Sequence, residues 1–332
     1  MVSARVMSRS GARRHWPGLS GAAAGGAVTL AALALAAAAP EPAPAAAQGT
    51  ITVTSTEDTD DVLWGDGQCG DTLGRCTLRG AIQEANARDG ADVIRFRIAR
   101  GPQTIKPESA YPVLFEAVTV DGTTQPGYAG RPIIEIDGSD AGEGSDGLVL
   151  AAEGSVAKAL AITHFDGIGV VMADGEGSRL ESSYVGLAPD GITPAGNGGH
   201  GVHLVRCRKC VVGGAEAAQR NVISGNGGNG VYLTEVGTRG NRVSGNFIGT
   251  DALGEVAVPN RVDGVAIENA PDNVVGGQEV GASNLISGNG DDGVEILGPG
   301  TISVTVEANW IGTLRTGDGP LGNGDAGVVV VE

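Results

Sequence analysis

Few side chains in this 332-residue chain are of types that do chemistry. His200, set between Gly199 and Gly201, and the adjacent pair Asp291-Asp292 belong to the residue types used for general acid–base work. Asp251, Asp263, Asp272, Asp318 and Asp325 add further carboxylates. Hard oxygen ligands of this kind suit Ca²⁺, and Asp251, Asp291 and Asp292 are the candidate ligands, although no spacing among them specifies a cage. No other cofactor is implied. Cys207-Arg-Lys-Cys210 has the two-residue spacing of a redox or metal pair. A redox role needs a βαβ context, which the surrounding sequence lacks. A four-Cys zinc site would need this pair to meet Cys69 and Cys76.

The elements that would position these residues are set by a repeat. Asn221 to Gly230 reads N-V-I-S-G-N-G-G-N-G, and Asn284 to Gly293 reads N-L-I-S-G-N-G-D-D-G, 63 residues later. Over 221–269 and 284–332, 19 of 49 positions are identical without a gap. The register extends backwards through Gly186, Gly191, Asn197 and Gly201-Val202. The units are therefore about 158–220, 221–283 and 284–332, the last incomplete. A period of this size marks a stacked-repeat architecture. Asn221 recurs as Asn241 after 20 residues, which reads as three coils of 20–23 residues per unit and roughly eight coils from 160 to 332.

A coil this short has room for short strands and tight corners only. Asn and Gly suit the corners because both tolerate left-handed backbone angles. Val, Ile and Leu at alternate positions face inward and stack on the coils above and below. Asn221, Asn241 and Asn284 are expected to form a ladder of side-chain amides, each bonded to the next rung. Leucine-rich repeats need a Leu pattern that is missing. Calcium-binding nonapeptide rolls are echoed only once, at Gly288–Asp291. The expected fold is all-β, a right-handed parallel β-helix solenoid over 93–332. The repeat also filters the candidates. His200 aligns with Asp263 and Ala326, a variable corner position. Phe247 aligns with Trp310, a stacked structural position.

Ahead of the repeats, residues 1–47 carry four Arg, an Ala/Gly/Leu stretch and Ala45-Ala46-Ala47, the pattern of a secretory signal; a membrane anchor is the alternative. Arg13-Arg14 leaves twin-arginine export open. Cleavage after Ala47 would take the net charge from −17 to −20. Such acidity, with three Lys and no basic stripe, argues against nucleic acid and against unassisted binding of acidic polysaccharides. No membrane span is expected after the signal. In an exported chain Cys69 and Cys76 are expected to form a disulfide, and a local disulfide at an outer corner is the plainer reading of Cys207 and Cys210. One helix is expected at 77–88, with Leu78, Ala81, Ile82 and Ala85 on one face and Thr77 as N-cap. Val328–Val331 is strand-like and the third unit stops short, so the chain reads as a fragment.

Cys76-Thr-Leu-Arg-Gly-Ala-Ile82, followed by Glu84-Ala-Asn86, resembles the CSLREA domain at the start of bacterial secreted proteins; here 48–92 would be that cap. Gly80 departs from the Glu usual there, so a weaker helix start is expected. Val118–Tyr128, Ile136-Asp-Gly138 and the N-x-I-S-G-N and I-G-T-D elements are similar to the β-helix repeats that follow in such proteins. The resemblance implies secretion and a pectate-lyase-like fold, and carries little chemistry. Gly199-His200-Gly201 also matches a tripeptide of polygalacturonases. Those enzymes need further Asp clusters and an R-x-K, and Asp291-Asp292 is the only D-D of the repeats. The expected function is a secreted or cell-surface protein with a structural, adhesive or glycan-contacting role. The alternative is a lyase or hydrolase of an extended, uronic-acid-type polysaccharide.

Overall fold

The structure, a computed structural model, describes residues 49–331. The expected signal segment lies outside them. Three parallel sheets run the length of the solenoid. The first has nine strands, from Gly49–Val53 to Thr305–Glu307. The second has eight, from Gln103–Ile105 to Trp310–Ile311. The third has seven, from Leu148–Leu150 to Val328–Val331. The chain is a parallel β-helix.

One coil visits each sheet in turn. Val211–Gly213 lies in the first, Val222–Ile223 in the second and Val231–Thr234 in the third. Val211 then pairs with Arg242, and Arg242 with Val274, steps of 31 and 32 residues. Two coils therefore complete the 63-residue unit, not three. The third sheet holds six strands between 160 and 331, where eight coils were expected. The 20-residue recurrence links different corners of one coil. Asn221 precedes a strand of the second sheet, and Asn241 a strand of the first.

The core follows from period-2 alternation. Val202 and Leu204, Val231 and Leu233, and Val265 and Ile267 point inward in successive coils and are fully buried. The corners are closed by Asn ladders. Between the first and second sheets, Asn221, Asn246 and Asn284 each pass an Nδ2–H to the Oδ1 of the next Asn, ending at Asn309, at 3.0, 3.1 and 2.9 Å. Between the second and third, Asn197, Asn226, Asn260, Asn289 and Asn323 do the same at 2.9–3.0 Å. Asn241 belongs to a separate rung with Asn273, at 3.0 Å. It does not share a ladder with Asn221 and Asn284. Each ladder satisfies buried backbone groups as well; Asn246 Nδ2 also donates to Val212 O and Ser244 O.

At the N-terminal end the first sheet begins at Gly49, inside the span read as the cap. Helix α1 (Leu78–Asn86) buries Leu78, Ala81, Ile82 and Ala85, as the spacing predicts. Thr77 Oγ1 accepts the Gly80 N–H at 2.9 Å. A Cβ at Gly80 would lie 3.4 Å from the Asp61 backbone N, an ordinary contact distance. The Glu84 carboxylate, fully buried, accepts the Gly65 and Gly67 N–H groups at 2.5 and 2.8 Å. Cys69 and Cys76 form a disulfide beside the helix start. Cys207 and Cys210 form the second. Both of the latter are wholly buried and join the hydrophobic core, so this disulfide is internal and does not sit at an outer corner. With all four sulfurs oxidised, no thiolate remains for zinc.

Candidate functional site

The third sheet presents its outward positions as rows along the solenoid, one residue per coil. His203 pairs with Tyr232, Tyr232 with Ala266, and Ala266 with Glu295. The His203 and Tyr232 rings stack at 5.2 Å and 21°. His200 adds a third ring, 4.5 Å from Tyr232. Burial pushes both imidazoles down, His203 to about 4, where the neighbouring His200 also contributes. The three rings are thus a neutral platform at neutral pH. Burial, and then the bond its hydroxyl donates to Glu268, push the Tyr232 phenol upward.

His200 opens a corner row. Its Nδ1 accepts the Asn229 N–H at 3.0 Å, Asn229 Oδ1 accepts Asp263 N–H at 3.0 Å, and Asp263 Oδ1 accepts Asp292 N–H at 3.0 Å. Asp292 Oδ1 accepts Ala326 N–H at 2.7 Å. Each side chain is a backbone acceptor for the next coil, which explains why His, Asn and Asp interchange there. His200 and Asp292 stand three rungs apart, ~14 Å at the usual strand spacing. They do not form one acid–base set.

Beyond the rings the row turns acidic. Oxygens of Asp291, Asp292 and Asp325 lie within 4.8 Å of one another. Burial raises the Asp263 carboxyl to about 6, with Glu295, Asp292 and Asp291 adding like charge against the Asp292 N–H bond. Asp251 is not part of this group. It is buried in another corner, where its Oδ1 accepts the Glu255 and Val256 N–H groups. Trp310 and Phe247 lie on the second sheet in one row, with Leu285 between them. Phe247 and Leu285 join Val222, Leu187 and Val258 in a small apolar cluster outside the main core.

Residues that the sequence did not single out form a cleft of about 480 Å³ at the turn between the second and third sheets. Ser139, Glu143, His164, Phe165 and Asp166 line it. Asp137 Oδ1 meets His164 Nδ1 at 3.1 Å, and its Oδ2 meets Lys106 Nζ at 3.1 Å. Burial pushes Asp137 upward, but bonds from the Ser139 N–H, Lys106 and the Ser139 hydroxyl, with His164 nearby, carry it below the ordinary carboxylate value. Lys106 also donates to Ser139 Oγ at 3.1 Å. The signal in the sequence was faint: a second Asp-Gly-Ser/Thr turn, after Asp121-Gly-Thr123, and one of only three lysines.

No protein-family model matches the chain, and no curated protein matches it in sequence.

Proposed function

We propose that this chain is a secreted or cell-surface protein of the CSLREA type that holds an extended glycan along the outer face of its third sheet, in a structural or adhesive role. The single observation that carries this is the ring platform of His200, His203 and Tyr232, continued along the same face by Glu268 and Glu295. Flat rings offer area to the apolar face of a sugar, and carboxylates accept its hydroxyls. Each coil advances ~4.8 Å, close to the length of one pyranose ring, so successive rungs can meet successive sugars. The carboxylates beyond the rings favour a neutral polymer over a polyuronate. Two disulfides, and the lack of any helix among the described residues able to cross a membrane, are compatible with life outside the cell.

Affinity electrophoresis of the purified chain against neutral glucans, xylans and mannans, and against pectate and alginate with and without Ca²⁺, tests this. Retardation by a neutral polymer that drops at least tenfold in Tyr232→Ala supports it. Equal mobility in every gel, or retardation indifferent to Tyr232, refutes it. The alternative, cleavage of a uronic-acid polymer by His200 with Asp291 and Asp292, draws no support from residues three rungs apart.

A further inference from the structure

The fold builds the same turn twice, and the comparison separates what it needs from what has been added. Asp121-Gly122-Thr123 ends a strand of the first sheet, and Asp137-Gly138-Ser139 ends one of the second. In each, the Asp side chain accepts the N–H two residues on, at 3.0 and 3.1 Å, and pairs with a lysine at 3.1 Å. In each, the glycine sits against the next coil, where a left-handed residue follows the paired strand. That residue is Ala159 (φ 56°) in the first turn and His164 (φ 56°) in the second. A methyl group is therefore enough for the backbone.

The hydroxyls differ too. Thr123 Oγ1 donates to Asp121 Oδ1 at 2.5 Å. In the second turn the same Asp oxygen faces the imidazole. Ser139 Oγ also accepts from Lys106, and its O–H, which rests on Asp137, is the donor that a bound carbonyl would take over. The Asp137 carboxylate holds the proton of His164 on Nδ1, so Nε2 is an acceptor. An oriented base and a lysine-polarised hydroxyl thus line one open cleft; His164 is about half exposed there, at 47%. The other charges facing it are Glu143 and Asp166, and Asp166 Oδ2 accepts the Gly144 N–H at 2.6 Å.

We propose that this cleft hydrolyses neutral O-acyl esters, with His164 as general base, Asp137 as its positioning residue and Ser139 as hydrogen-bond donor to the carbonyl oxygen. His164 Nε2 takes a proton from water as the water oxygen bonds to the acyl carbon and the C=O electron pair moves onto oxygen, where Ser139 donates. The tetrahedral intermediate re-forms C=O and breaks the bond to the alcohol oxygen. That oxygen takes the proton back from His164. The products are a carboxylic acid and a free hydroxyl. Glu143 and Asp166 repel anionic substrates. An acyl group on a neutral polysaccharide is the natural form of such an ester if the glycan reading holds, but the chemistry itself does not depend on it.

The full chain is assayed with 4-nitrophenyl acetate and with acetylated xylan, following nitrophenolate and released acetate from pH 5 to 9. The expected result is release rising with deprotonation of one group. His164→Ala, which copies Ala159, should lower kcat/KM at least ~100-fold with an unchanged circular dichroism spectrum. Ser139→Ala should lower kcat about tenfold or more. Lys106→Met should shift the pH profile. Lys158→Met, at the first turn, should leave 4-nitrophenyl acetate turnover intact. Rates no higher than free imidazole at equal concentration, or a His164→Ala variant as fast as the parent, overturn the proposal. Loss of polymer retardation with ester turnover retained would instead refute the glycan-face reading alone.

Discussion

Replacing Asn246 by Ala removes a middle rung of a fully buried ladder. Asn246 Oδ1 accepts from both the backbone N–H and the Nδ2 of Asn221, at 3.3 and 3.0 Å. Its Nδ2 donates to Asn284, Val212 and Ser244. In the variant the Asn221 N–H loses its acceptor, and Asn221 and Asn284 each lose an amide partner. A buried donor left unpaired costs about 1–3 kcal/mol. Asn221 Nδ2 keeps its bond to Leu180 O, and Ser244 O keeps the Gly214 N–H, so the losses do not all add. The expected destabilisation is about 3 kcal/mol. Guanidinium unfolding followed by far-ultraviolet circular dichroism measures it, and hydrogen exchange should show faster exchange at Asn221 than in the distant coils. The isosteric Asn246→Asp gives a sign. Its carboxylate would be buried beside the Asn284 oxygen, so its pKa is raised in the fold. Part of the lost stability should therefore return as pH falls and the acid protonates. A loss below about 1 kcal/mol in Asn246→Ala, or an Asn246→Asp variant indifferent to pH, would refute the argument that the ladder satisfies the corners.

Asp263 carries the same pH signature in the parent chain. Its folded pKa of about 6 lies above the ordinary 3.8, so its contribution is favourable below the unfolded value and is lost as pH rises through about 6. Asp263→Asn keeps the acceptor for Asp292 N–H, as Asn229 does one rung earlier. It should therefore raise stability by about 1–3 kcal/mol at pH 8 and by almost nothing at pH 4. Thermal melts across that range check it. The disulfides close short loops, with sequence separations of 3 for Cys207–Cys210 and 7 for Cys69–Cys76. Loop-closure entropy then predicts about 2 kcal/mol from each, slightly more for the second, measured as the shift in unfolding midpoint of Cys→Ala pairs against the oxidised parent.

The solenoid was legible because its core needs little more than alternation. Val202 and Leu204 must face inward if His203 faces out, and each coil repeats that demand. Coil length was not legible. Asn-Gly punctuation serves all three corners alike, so Asn221 and Asn241 look like one position in successive coils. Only strand pairing shows that they are two corners of the same coil. The repeat register also placed His200 among corner positions, and the structure adds that it serves there as a backbone acceptor.

The sequence by itself determined the stacked parallel strands, the Asn corners and helix α1, because each rests on local periodicity and on residues that tolerate tight turns. Tertiary structure decided which side chains meet. Lys106, Asp137 and His164 are about 30 residues apart in succession, one coil each. Nothing local links them. They meet because parallel pairing sets equivalent positions of adjacent coils ~4.8 Å apart. The same stacking separates His200 from Asp292 by three rungs and draws His203 and Tyr232 into one stack.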